Sequence, residues 1–229
     1  NPALNAETFR GLPRTAAMQD NMTIQGTVNK TGLMLILLMI TATYTWDKFY
    51  RLAETGDTSG AGALMPLFLG GMIGGLIAAL ATIFKKTWSP ITAPIYALCQ
   101  GLFLGGLSAM FESRFPGIVI QAVSLTFGTL MALLLAYKSG FIKPTENFKL
   151  GLAAATGGIF LVYMVNMIFS FFSPGGFGFM HQPSLIGIGF SLFVVIIAAL
   201  NLVLYFDFIE TGAQSGAPRY MEWYAAFGL

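Results

Sequence analysis

Long hydrophobic runs without a single charged residue alternate along the chain with short polar segments. A helix that crosses a bilayer core of ~30 Å needs ~20 mostly apolar residues. The charge-free runs are 31–46, 58–84, 87–111, 115–137 and 150–206. The last run is divided by the SPGGFG string and by Pro183, which is typical of a loop between two helices. The pattern therefore predicts six membrane spans, at about 27–50, 61–84, 90–111, 117–137, 148–172 and 184–209.

Another apolar segment, 220–229, follows a turn predicted in the TGAQSGAP string. It is too short to cross a bilayer. We interpret it as the first half of a seventh span; the alternative is a short interfacial helix held by Trp223 and Tyr224. The predicted fold is an all-α integral membrane protein with six complete transmembrane helices and the start of a seventh, in a single transmembrane domain over 1–229.

The amino-acid composition agrees with a lipid environment. Hydrophobic residues make up 55% of the chain and charged residues only 10%, whereas soluble domains carry roughly 25% charged residues. We therefore expect the lipid bilayer to cover most of the surface. The net charge of +2 is too small to predict nucleic-acid binding, and the single cysteine, Cys99, excludes an internal disulfide.

The distribution of Lys and Arg predicts the orientation of the chain. Nine of the 12 lie in the amino-terminal tail or in segments on its side of the membrane, and three lie on the other side. The positive-inside rule then places the tail, residues 1–26, in the cytoplasm. The segment that carries Asp47, Glu54 and Asp57 is expected to face outward.

Polar side chains within the spans are the first candidates for function, because they are costly in lipid. Gln100, Asn166 and Asn201 are candidates for pore-lining groups or for hydrogen bonds between helices, and we favour the second role. Asp207 and Glu210 end the sixth span on the cytoplasmic side. They are three residues apart, so on a helix they share nearly one face.

Two neighbouring carboxylates can bind a divalent cation or act as a proton-sensitive latch. For Glu210 we favour a simpler role as a solvated acid at a helix end. Asp207 is flanked by Tyr205, Phe206, Phe208 and Ile209, so we expect it to face the bundle interior. It is the candidate metal ligand and, with Glu210, the candidate ion- or proton-sensing site.

Three glycine pairs spaced four apart predict close helix contacts: 70 and 74, 71 and 75, and 101 and 105. Contacts within the bundle are favoured over a dimer interface. The chain has one histidine, His181, and one close acidic pair. These cannot supply the clustered ligands of a metal-dependent intramembrane hydrolase, so we expect no enzymatic activity, no catalytic residue and no cofactor.

Two strings carry a family resemblance: WSPITAPIYAL at 88–98 and YFDFIE at 205–210. With the LTFG string and the opening NPAL, they resemble the bacterial YccA-like branch of the Bax inhibitor-1 family over nearly the whole chain. The resemblance implies a seven-helix bundle with the last helix at its centre, in an inner (plasma) membrane. Gln100 departs from related sequences, which often have an acid there.

The resemblance also implies a pH-sensitive calcium leak, in which an acid of the sixth span and an acid of the seventh share a proton and close the path. Asp207 occupies the sixth-span position. The partner acid is expected beyond Leu229, since Glu222 comes too early in its helix. Calcium would be the transported ion, with Asp207 as its ligand when ionised. The alternative function is a non-transporting protein that binds and modulates other membrane proteins, such as a quality-control protease.

Overall fold

A computed structural model describes residues 21–54, 60–172 and 184–229. These residues are almost entirely helical, and no strand occurs among them. The helices are α1 (Ile24–Glu54), α2 (Gly60–Phe84), a 3-10 turn (Lys86–Trp88), α3 (Ser89–Arg114), α4 (Ile118–Lys138), α5 (Glu146–Phe172), α6 (Leu185–Gln214) and α7 (Met221–Gly228). In this part of the chain, six helices are long and apolar enough to cross a membrane. The predicted all-α membrane fold is confirmed.

The chain divides into two compact units. The smaller unit covers 127–207, and the larger unit covers the described residues of 2–126 together with 208–229. The boundaries fall within α4 and α6, so each of these helices contributes to both units. The interpretation as a single transmembrane domain stays a prediction.

The larger unit is built on close backbone contacts at glycine. A Cβ atom added at Gly105 would lie 2.6 Å from the Cα of Ala42 on α1. One added at Gly71 would lie 2.7 Å from the carbonyl oxygen of Cys99 on α3. Gly101 approaches the backbone of Leu38 on α1 in the same way. The pairs 71/75 and 101/105 thus pack helices of this unit against one another, as predicted, whereas Gly70 faces no atom within 4 Å.

The most thoroughly buried segment is the short helix α7. Met221, Tyr224 and Ala225 are almost completely shielded. They form one apolar cluster with side chains that include Met22 and Phe208. Ala226 joins a second cluster with three residues of α1 and α3: Met34, Ala93 and Ala97. A helix lying in the membrane interface would expose one face, so this burial does not fit the interfacial alternative for 220–229.

Helix α6 continues beyond the predicted end of the sixth span, at 209, as far as Gln214. Gly216 follows with a φ of 67°. The N–H of Ala217 donates to the carbonyl of Gly212 over 3.1 Å, and the N–H of Gly216 donates to that of Ala213 over 3.3 Å. This is a Schellman cap, which needs glycine in the left-handed conformation. Much of the segment predicted as a turn is therefore helical, and only its glycine-centred end reverses the chain.

Side-chain contacts among the described residues connect α5 and α6 within the smaller unit. Lys149 contacts Asp207, Thr156 contacts Asn201, and the rings of Tyr163 and Phe190 lie 6.1 Å apart. Residues later in α5 contact residues earlier in α6, so the two helices are antiparallel. Most other large apolar side chains of this unit are exposed, as expected where lipid replaces protein as the neighbour.

Candidate functional site

Asp207 of α6 forms an ion pair with Lys149 of α5. The Oδ2 atom of Asp207 lies 2.8 Å from the Nζ atom of Lys149, and the two side chains are 22% and 27% exposed. Thr145 fixes the start of α5, because its hydroxyl accepts a hydrogen bond from the N–H of Phe148 over 3.3 Å. This cap places Lys149 one turn into α5.

Lys149 has a second carboxylate within reach. The Oε1 atom of Glu146 lies 3.4 Å from the same Nζ atom, and the Glu146 side chain is 85% exposed. The ammonium group therefore lies between a shielded acid, Asp207, and a solvated acid, Glu146. We call these three residues the Lys149 triad. Two carboxylates and one ammonium leave the triad with one net negative charge when all three are ionised.

Glu210, predicted to act together with Asp207, has a partner on its own helix. Its Oε1 atom accepts a hydrogen bond from the Nε2 of Gln214 over 3.1 Å, on the same helix. Sequence reasoning did not identify Lys149 as the cation beside Asp207. The distribution of Lys and Arg predicts that both residues lie on the same side of the membrane. This shared side was the sequence feature that could have indicated their contact.

The three predicted polar residues of the spans differ in what they contact. The amide Nδ2 of Asn201 donates to the Thr156 hydroxyl over 3.1 Å and so connects α6 with α5. The Nε2 of Gln100 donates to the Tyr96 hydroxyl over 3.0 Å, within α3. Asn166 is buried in α5, and its backbone carbonyl accepts a hydrogen bond from Ser170. The Asn201 hydrogen bond joins two helices in the way that the sequence suggested.

A second charged cluster lies in the larger unit. Glu222 is only 2% exposed, and its carboxylate accepts hydrogen bonds from the N–H and the hydroxyl of Thr23, each over 2.9 Å. The ammonium of Lys30, whose side chain is 15% exposed, completes an ion pair with Glu222. Gly26 makes room for the carboxylate, since a Cβ atom there would overlap with it. We call Thr23, Lys30 and Glu222 the Glu222 cluster.

The cluster keeps Glu222 ionised, although the residue is buried outside the six membrane-spanning helices. Burial by itself opposes ionisation and raises the pKa of this carboxyl. The donors from Lys30 and Thr23 act in the opposite direction, and the pKa of Glu222 ends below its ordinary value. Sequence reasoning did not identify this site, because Thr23 and Glu222 are 199 positions apart.

No metal site is preformed in the part of the chain that the structure describes. Within that part, no group of three or more His, Cys, Asp or Glu side chains is arranged to hold a metal ion. A tightly bound Ca²⁺ takes six to eight oxygen ligands. The Lys149 triad offers two carboxylates, one of which is shielded.

These observations define the class of the molecule: a multi-pass membrane protein with six apolar helices and a short, buried seventh. The family described as Bax inhibitor 1 like matches residues 1–229. The chain belongs to that family, as its sequence predicted. Neither a curated protein nor a solved structure matches it. Its assignment to the bacterial YccA-like branch stays a prediction.

Proposed function

We propose that this protein is a pH-sensitive calcium leak of a plasma (inner) membrane, with its amino terminus in the cytoplasm. The observation that carries the proposal is the position of Asp207. It is a largely shielded acid near the end of a membrane-spanning helix, and its charge is balanced by a lysine of another helix. Acids in this setting are typical of ion pathways.

The chemistry of Asp207 suits a leak better than a storage site. Ca²⁺ prefers oxygen ligands, and a conduction path needs binding that is weak enough to release the ion. One shielded carboxylate meets both requirements. Protonation of Asp207 removes the negative charge that attracts Ca²⁺ and turns the carboxyl into a hydrogen-bond donor. Acidification is therefore expected to close the path.

The test is calcium entry into sealed vesicles that contain the purified protein, followed across roughly pH 5 to 8. Wild type is compared with Asp207→Asn, which keeps the shape of the side chain and removes its negative charge. Asp47→Asn is the matched control, because Asp47 is an exposed acid on α1, 56% accessible and paired with Arg51. We expect wild type and the control to share one pH profile, and the flux of Asp207→Asn not to respond to pH.

An unchanged pH profile in Asp207→Asn would contradict the role of this acid. Absence of flux from folded wild-type protein would contradict the leak itself and favour the partner-binding function. The glycine motifs give that second function little support, because Gly71, Gly101 and Gly105 already contact neighbouring helices of their own unit.

A further inference from the structure

The position of Lys149 has a consequence for ion binding at Asp207. Its ammonium lies 2.8 Å from the shielded carboxylate of Asp207 and 3.4 Å from the exposed carboxylate of Glu146. A calcium ion that binds Asp207 needs the same carboxylate group, whose Oδ2 atom Lys149 now contacts. The lysine and the ion therefore compete for one ligand.

We propose that Lys149 is a tethered cation that occupies Asp207 when no calcium is bound, and that Glu146 receives the ammonium when calcium displaces it. This inference rests on the proposed calcium leak and adds a residue-level control of its affinity. Glu210, the other acid near Asp207, lies one turn further along α6 and accepts a hydrogen bond from Gln214.

The physical reason for such a device is the cost of an unpaired charge in a shielded position. A buried ion pair is strongly destabilised when one partner is removed, because the other charge then lacks compensation. With Lys149 nearby, Asp207 always has a cation, whether ammonium or Ca²⁺.

The exchange also requires little movement. Lys149 and Glu146 are three residues apart on α5, so they are neighbours on the helix surface. The four-carbon stem of lysine is flexible, and a rotation of this side chain moves the ammonium toward Glu146 and water. The displaced charge thus remains paired, and the backbone does not need to shift.

The first test is chemical labelling of lysines in the wild-type protein. A water-soluble acylating reagent is applied to vesicles with and without Ca²⁺, and the rate at each lysine is read by mass spectrometry. Calcium should raise the rate at Lys149 several-fold, because the ammonium moves into water. Lys143, which is exposed, serves as the internal control and should react at the same rate with and without Ca²⁺. In Asp207→Asn, Lys149 should react rapidly with or without Ca²⁺.

The second test is the calcium concentration that gives half-maximal flux. Lys149→Met removes the competitor, and we expect this concentration to fall roughly three- to tenfold, the range for a partly shielded ion pair. Lys149→Arg keeps the charge and should stay close to wild type. Glu146→Gln removes the receiving carboxylate and should raise the half-saturating concentration. If Lys149 had a purely structural role, Lys149→Met and Glu146→Gln would not shift the half-saturating calcium concentration in opposite directions.

The outcomes separate this inference from the proposed function. If Asp207→Asn changes the flux while Lys149→Met and Glu146→Gln leave the half-saturating concentration unchanged, the leak stands and the tethered cation is refuted. If Asp207→Asn has no effect on flux, the proposed function itself fails. Should Lys149→Met not fold, the wild-type labelling decides: an unchanged Lys149 rate on adding calcium refutes the inference.

Discussion

Replacement of Lys30 by methionine should destabilise the larger unit strongly. Methionine keeps most of the length of the lysine stem and removes only the ammonium. Glu222 would then remain 2% exposed, and its partners among the described residues would be the N–H and hydroxyl of Thr23. The substitution therefore measures how much the ammonium charge of Lys30 contributes to stability by compensating the buried carboxylate of Glu222.

The expected magnitude follows from the burial of the two partners. Removing one member of a buried ion pair costs roughly 3–5 kcal/mol. Because the Lys30 side chain is 15% exposed, we expect a loss near the lower end, about 3 kcal/mol. Glu222→Gln should cost less, about 1–2 kcal/mol. Its amide oxygen can still accept from Thr23, and the ammonium of Lys30 can reach water. In the double variant the neutral amide no longer needs an ammonium, so the loss should resemble that of Glu222→Gln alone.

The assay is the free energy of unfolding in mixed detergent micelles for wild type, both single variants and the double variant. The double-mutant cycle should give a coupling of about 2–3 kcal/mol. Asp47→Asn is the control on the same helix: it breaks an ion pair whose partners are 56% and 76% exposed, so its loss should be much smaller. Additive losses in the cycle, or a Lys30→Met loss no larger than the control's, would refute the assignment of Glu222 as a buried, ionised carboxylate.

Three other expectations concern the larger unit. The pKa of Glu222 is depressed below its ordinary value of 4.5. The contribution of this carboxylate to stability is therefore present above pH 4.5 and is lost as the pH falls through the depressed pKa. Acid unfolding of Glu222→Gln should accordingly depend less steeply on pH than acid unfolding of wild type. Gly105→Ala should lower the unfolding free energy by about 1–3 kcal/mol, since its Cβ would meet the backbone of Ala42. Gly70→Ala on α2, whose added Cβ would meet no atom within 4 Å, should not lower it, and a loss there equal to that at Gly105 would contradict the packing argument. Glu112→Ala should cost about 1 kcal/mol, because its carboxylate accepts hydrogen bonds of 2.6 and 3.0 Å from backbone N–H groups at the start of α4; unchanged stability would show that these bonds contribute nothing.

The candidate site could be predicted only in part. Asp207 was identified from its setting, an acid among aromatic residues at a span end, because the cost of charge in lipid is a local property of the sequence. Its pairing with Glu210 was inferred from helical spacing. The structure shows that Asp207 also contacts the ammonium of Lys149 and that Glu210 accepts a hydrogen bond from Gln214, and the joint role of the two acids stays a prediction. Helical spacing places two side chains on one face, but it cannot tell which neighbouring helix offers a stronger partner.

What the sequence by itself determined is the number, order and approximate bounds of the membrane helices, and the membership in a membrane-protein family. The bounds of a membrane helix depend on the length of its apolar run and on local cap residues. The bilayer thickness sets the length of run that is needed, and the need to satisfy every backbone hydrogen bond in lipid makes that run helical. The tertiary structure alone decided which helix faces meet. In spans that are apolar on every side, hydropathy does not reveal the rotation of a helix about its axis. Close packing at glycines such as Gly101 and Gly105 sets that rotation in the larger unit. In the same unit, Lys30 of α1 meets Glu222 of α7, a residue 192 positions away.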